Sequence, residues 1–254
     1  MAIANARPNV DDLSFLVDEY QPTHLPVFGS QQVEFGTVGW LDLARDYLTP
    51  RVADRRDSLR GLRLAVDEVY THAPPHLEFT DGVAATHIVI DDGELAVGAG
   101  TIDKPDLRIT GNYDQVATLH TAVYEQMPDR RERLTRELTH RHGETVKVVG
   151  TSPSDPALLA VLEGLHDHLA RHTKFNPDLD HRIDNLGLTE HLARIEEDGY
   201  TVIEDAFSEA YADEIHEELM VHMEDDATRG VQKAAMLLQR GPIFEEMALH
   251  PYIF

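Results

Sequence analysis

The side chains with the widest chemical range in this chain are its 15 histidines. His-x-Glu occurs four times, at His76/Glu78, His142/Glu144, His216/Glu218 and His222/Glu224, and His-x-Asp does not occur. The last two pairs fall in a stretch that reads as helix. There, residues two apart point roughly 200° away from each other and cannot grip one metal. His168 and His172 stand four apart in a helical pattern, a spacing that can hold zinc or copper. No third ligand accompanies them, so they read as a solvent-facing pair. The chain has no cysteine, which removes disulfides, thiolate catalysis and zinc–sulfur sites. It also lacks G-x-S-x-G, a phosphate-cradling glycine loop, and a helix pairing histidine with a glutamate base.

The composition bounds what such groups could serve. A length of 254 residues, 42% hydrophobic and 27% charged, fits one large or two small soluble globular domains. A formal charge of -24 argues against a nucleic-acid partner, because a polyanion would be repelled. The N-terminus carries no secretory signal pattern and no apolar run approaches a membrane span, so a cytoplasmic location is the default. Oligomeric state is not legible.

The elements that would position the chemistry follow from periodicity. Residues 1–36 are punctuated by Pro, Gln and Gly and read as an arm or linker. "WLDLARDYLTPRVADRRDSLRGL" reads as a helix bent or ended at Thr49 by Pro50. "RLAVDEVYTH" is a strand, and "ATHIVIDDGELAVGAG" is a hairpin turning at Asp91-Asp92-Gly93, where Asp-Gly supplies the positive φ. "PDLRITG" is a further strand. "NYDQVATLHTAVYEQM" is a helix capped by Asn112, and the polar "PDRRERLTRELTHRHGE" extends it or forms an excursion. "ETVKVVGT" is a strand, and "SPSDPALLAVLEGLHDHLARH" is one helix with Leu158, Leu162, Leu165 and Leu169 on a face. A boundary falls within residues 174–188, around Pro177 and Gly187. Helix, strand ("YTVIEDA") and helix ("SEAYADEIHEELMVHMED") then lead to a Met/Leu-rich close.

Residues 37–173 resemble the sterol carrier protein type 2 family. The likeness rests on "DLRITGNYDQVATLHTA" and on "ETVKVVGTSPSDPALLAVLEGLHDHL", with Val146-Lys147-Val148-Val149-Gly150 as the family's hydrophobic-Lys-hydrophobic strand. Glu144 stands where that pattern has glycine, and Gly143 lies one position earlier. The resemblance implies a curved sheet with helices over one face, enclosing an apolar cavity for acyl chains, sterols or acyl-CoA. Leu119, Val123, Leu158, Leu162 and Leu165 become cavity-wall candidates, or else ordinary core, and Lys147 could meet a carboxylate or phosphate. A lipid tail in such a cavity gains about 0.8 kcal/mol per buried CH₂.

Residues 189–254 resemble the N-terminal entry of the phytanoyl-CoA dioxygenase family of Fe(II)/2-oxoglutarate oxygenases. Asp198-Gly199-Tyr200-Thr201-Val202-Ile203 with Phe207-Ser208 match its helix–strand–helix entry, and "LLQRGPIFEEMALHPYI", holding Gly241, Pro242 and Phe244, matches the next piece. Each also has a plain structural role: Gly199 as a helix C-cap, Tyr200, Val202 and Ile203 in a buried strand, Ser208 as an N-cap. The family's two histidines, carboxylate and basic residue lie further along than this match, so no catalytic residue, metal ligand or cofactor is expected within this chain.

The resulting fold class is α+β, a curved sheet covered by helices and then a helix–strand–helix fragment of a jelly-roll oxygenase domain. The expected function is the front part of a two-module lipid-processing protein. Its lipid- or acyl-binding module would be fused to an oxygenase that uses Fe(II) and 2-oxoglutarate, and this chain alone would be inactive. The apolar close "ALHPYIF", without a cap or charged tail, leads to the expectation that the protein continues. The alternative is a non-enzymatic lipid carrier with a helical interaction tail.

Overall fold

The computed structural model describes residues 32–77, 83–124, 129–142, 146–174, 178–226, 231–233, 237–248 and 250. It is a mixed α and β protein built on a five-stranded sheet. After β1 (Val33–Glu34) comes α1 (Val38–Asp54), which starts where the Thr37 hydroxyl accepts from the Trp40 amide. The helix runs on through Pro50 rather than ending at Thr49. Leu48 and Val52, on either side of the proline, are both buried in the core and hold its two turns in line.

The sheet comprises β2 (Arg63–Thr71), β3 (Ala84–Asp91), β4 (Glu94–Ala99), β5 (Leu107–Asn112) and β6 (Val146–Gly150), in the order β4-β3-β2-β5-β6. β2 is central, antiparallel to β3 and parallel to β5. The β3–β4 hairpin turns at Asp92 and Gly93, both with positive φ, as the Asp-Gly pair predicts.

Between β5 and β6 stand α2 (Tyr113–Thr121) and α3 (Arg130–His142). Asn112 caps α2 as expected, accepting from the Asp114 amide. The helix stops at Thr121, earlier than the sequence pattern suggests, and Ala122 is extended. Its end is fixed from outside: the His166 ring bonds the Ala122 carbonyl, and Asp167 accepts from the Tyr124 amide.

The helix expected after β6 is two helices, α4 (Pro156–Leu162) and α5 (Leu165–Ala170). Gly164 sits between them with φ +73, and a Cβ there would lie 2.7 Å from the Tyr47 hydroxyl. This break swings α5 across the sheet, which the unbroken leucine stripe does not reveal. β7 (Thr173–Lys174) then pairs with β1 in parallel, closing the body.

Side-chain alternation assigns the two faces of the sheet. Leu64, Val66, Glu68 and Tyr70 of β2 lie on the face covered by α1, α2, α4 and α5, beside Ala84, Thr86, Ile88 and Ile90 of β3. On the opposite face buried Asp67 takes a bidentate pair from Arg108, at 2.8 and 2.5 Å. Asp67 also accepts from the Ile102 amide, which ties down the crossover into β5.

Beyond β7 come α6 (Leu179–Asn185), α7 (Thr189–Asp198), α8 (Glu209–His222), a short β8 (Glu224–Asp226)–β9 (Val231–Lys233) hairpin, and α9 (Pro242–Ala248). The strand expected over residues 200–206 is not formed. Tyr200 and Val202 are 69% and 62% exposed, and no described strand runs beside them to supply a ladder.

The C-terminal helices dock on α3 through charge. Arg130, fully buried, donates to Glu246 and Glu245 and to the Val123 carbonyl, each at 2.9 Å. Arg133 grips Glu246 with two bonds of 2.8 Å, and Glu137 accepts from both the amide and hydroxyl of Ser208. Under this network Tyr211, Ile243 and Phe244 form a small second core. The two expected modules are therefore in contact. Arg130→Met would strand two buried carboxylates and should cost about 3–5 kcal/mol in urea unfolding. Arg60→Met, which breaks the exposed pair with Asp57, should cost about 1 kcal/mol or less. Equal losses would show that the buried pair has no special weight.

Candidate functional site

A cavity of about 120 Å³ lies between the sheet and the helices. Its apolar wall comes from Trp40 and Leu41 of α1, Val66 and Ile88 of the sheet, and Leu165 and Leu169 of α5. The polar part of its lining comprises Glu68, Thr86 and His87 on neighbouring strands, His120 near the end of α2, and His166 on α5; the His87 ring bonds the Gly100 carbonyl. Three helices and two strands thus converge on one small space.

The polar groups form a chain. Glu68 lies 3.2 Å from Nε2 of His120 and accepts from the Tyr70 hydroxyl at 3.0 Å. Thr86 Oγ1 lies 2.8 Å from the Tyr70 hydroxyl and donates to it, since the Tyr70 proton is already given to Glu68. Burial by itself would raise the Glu68 carboxyl, but the His120 charge and the bonds from His120 and Tyr70 outweigh it and hold the pKa below its ordinary value. Tyr70 is pushed well up, by burial and then by the Glu68 charge, and keeps its proton.

The imidazoles are oriented by aromatic neighbours. His120 stacks on Phe35 at 4.8 Å and meets the Trp40 ring edge-on at 5.7 Å. His166 stacks on Tyr124 at 4.5 Å, and its centroid is 5.5 Å from that of His120. Nε2 of His166 lies 2.9 Å from the Ala122 carbonyl, which can only accept, so Nε2 carries the proton. Burial, followed by the neighbouring His120 charge, lowers the His166 pKa to about 4, so the ring is neutral at neutral pH. Among the described residues neither Nδ1 has a hydrogen-bond partner. The site therefore offers two imidazole nitrogens with unused capacity beside an ionised carboxylate.

The residues singled out from sequence are spread around this centre. Leu165 lines the cavity. Leu158 is buried in the same core with Leu162 packed at its edge; Val123 is buried beyond the end of α2, and Leu119 is partly buried. Lys147 is exposed on edge strand β6. Gly199 caps α7 with φ +79, and Ser208 caps α8 by accepting from the Tyr211 amide. Gly241 precedes α9, which Pro242 opens, and Phe244 is buried against Tyr211. Tyr200 is solvent-exposed rather than buried in a strand.

The histidine pairs take other partners. His76 bonds Glu34 at 2.8 Å and His222 bonds Glu218 at 3.1 Å; Glu78 and Glu144 lie outside the described residues. His168 and His172 are half-buried: His172 Nδ1 bonds the His168 carbonyl, and His168 stacks on Tyr47 at 4.6 Å. Among the described residues no three His, Asp or Glu side chains are grouped to hold a metal ion, so the iron of an oxygenase has no ligand set in them.

Glu68, Tyr70, His120 and His166 were not anticipated as a site. A signal was available for Glu68, which alternation places on the same strand face as Leu64, Val66 and Tyr70. No protein family, no curated protein and no solved structure matches the chain.

Between pH 6.5 and about 4 the unfolded chain binds a proton that folded His166 refuses. Stability should therefore fall as pH drops through that window, by up to about 3 kcal/mol, and this contribution should level off below it. His166→Gln, which keeps a donor for the Ala122 carbonyl, should flatten that part of the profile in urea titrations at successive pH values. An unchanged slope would place the proton uptake elsewhere.

Proposed function

We propose that residues 33–174 form a binding module for an apolar group of lipid or acyl origin, in the manner of sterol carrier protein type 2 proteins. The observation that carries this reading is the cavity between the sheet and α1, α2 and α5, apolar on most of its wall and polar where Glu68, His120 and His166 meet. A five-stranded sheet with helices over one face supports the same likeness. The volume of about 120 Å³ limits what enters. A cavity of roughly 150 Å³ holds one benzene, so the module encloses the end of a chain or part of a ring rather than a long tail entire.

The chain's single tryptophan, Trp40, lines this cavity and reports on it. Titration with methyl esters of straight-chain acids should give a saturable change in Trp40 emission. Affinity should rise about fourfold per added carbon, then level off once the cavity is full. Leu165→Phe should weaken binding about tenfold or more. No emission change with any ester up to millimolar concentration, or binding indifferent to Leu165→Phe, would overturn the module.

A second reading concerns residues 189–254 as the entrance of a phytanoyl-CoA dioxygenase-like domain. It is supported by the order of Gly-capped α7 and Ser-capped α8, as in the likeness, although the strand expected between them is not formed. Fe(II) and 2-oxoglutarate would then be held by residues other than those described. The reading requires that the gene encode His-x-Asp and a later histidine after Phe254, and a stop codon at that point would overturn it.

A further inference from the structure

The polar end of the cavity has a chemical preference that the apolar wall does not set, and this step rests on the binding reading above. Nε2 of His166 is committed to the Ala122 carbonyl and Nε2 of His120 to Glu68, leaving both Nδ1 atoms without a partner among the described residues. In the neutral His166 ring that nitrogen is a lone pair, which only a donor can satisfy. The Glu68 carboxylate, 3.2 Å from His120, adds negative charge to the same corner.

We infer that the cavity selects a small neutral hydroxyl compound, such as a phenol or short alcohol, in which the hydroxyl donates to Nδ1 of His166 and the apolar part lies against Val66, Ile88, Leu165 and Leu169. A hydroxyl supplies the donor that the His166 lone pair needs, and where His120 is charged its oxygen can also accept from that ring. A carbonyl can only accept, so it leaves the His166 lone pair unmet. A carboxylate has the same defect and is also repelled by Glu68.

Isothermal titration of the full chain at pH 7 with phenol, toluene and benzoate separates this inference from the reading beneath it. Phenol should bind about tenfold tighter than toluene, and benzoate more weakly than either. In His166→Phe the phenol advantage should vanish, and in His166→Gln, whose amide oxygen still accepts, part of it should return. Toluene binding as tightly as phenol to the wild type would overturn hydroxyl recognition while leaving an apolar cavity. Benzoate equal to or tighter than phenol would overturn it as well. Failure of all three, together with the acyl esters, would overturn the binding reading itself.

Discussion

A carboxylate on the helix-covered face of a sheet is the constraint to which the rest of this body answers. Burying Glu68 unpaired would cost several kcal/mol, and the fold offsets this with His120, Tyr70 and, through Tyr70, Thr86. Each compensation fixes an element. His120 ties the last turn of α2 to the sheet, and Phe35, stacked on that imidazole, draws the segment after β1 against the core. The Tyr113 hydroxyl bonds the Phe35 carbonyl, and the Trp40 indole bonds Thr173 beside α5. The result is a shell of aromatic rings around one charge, with a cavity left where the rings do not close.

The protein holds another ionic centre on α3, and the contrast between it and the Glu68 corner separates support from recognition. On α3, Arg130 spends its donors on two carboxylates and a carbonyl, and Arg133 forks onto Glu246. The network's work is to attach the C-terminal helices. At Glu68 the hydrogen-bonding capacity is only partly used, and the unused nitrogens belong to residues that line a space. A saturated network specifies structure. An unsaturated one beside a cavity is suited to a ligand.

Much of the sheet was legible because its signals are local. Alternation in "RLAVDEVYTH" and the Asp-Gly turn depend on neighbouring residues, and both strands and turn appear as expected. The ends of α2 and the break between α4 and α5 were not legible, because their causes lie far along the chain. His166 and Asp167 terminate α2 from more than 40 residues away, and Tyr47 occupies the space beside Gly164. The strand expected over Tyr200–Ala206 shows the limit of propensity: Tyr and Val favour a strand only where another strand receives them. The site itself was hidden for the same reason. Glu68, His120 and His166 are separated by about fifty residues each, and only the crossover of β5 and the turn at Gly164 bring them together.

The account turns on the proton positions of two rings. Long-range ¹H–¹⁵N NMR of histidine-labelled protein reads the tautomer and charge of each imidazole directly. At pH 6 it should find His166 neutral with its proton on Nε2, and His120 protonated at the Nε2 that faces Glu68. A His166 that is charged, or that carries its proton on Nδ1, would remove the lone pair on which the site's chemistry depends and contradict the account.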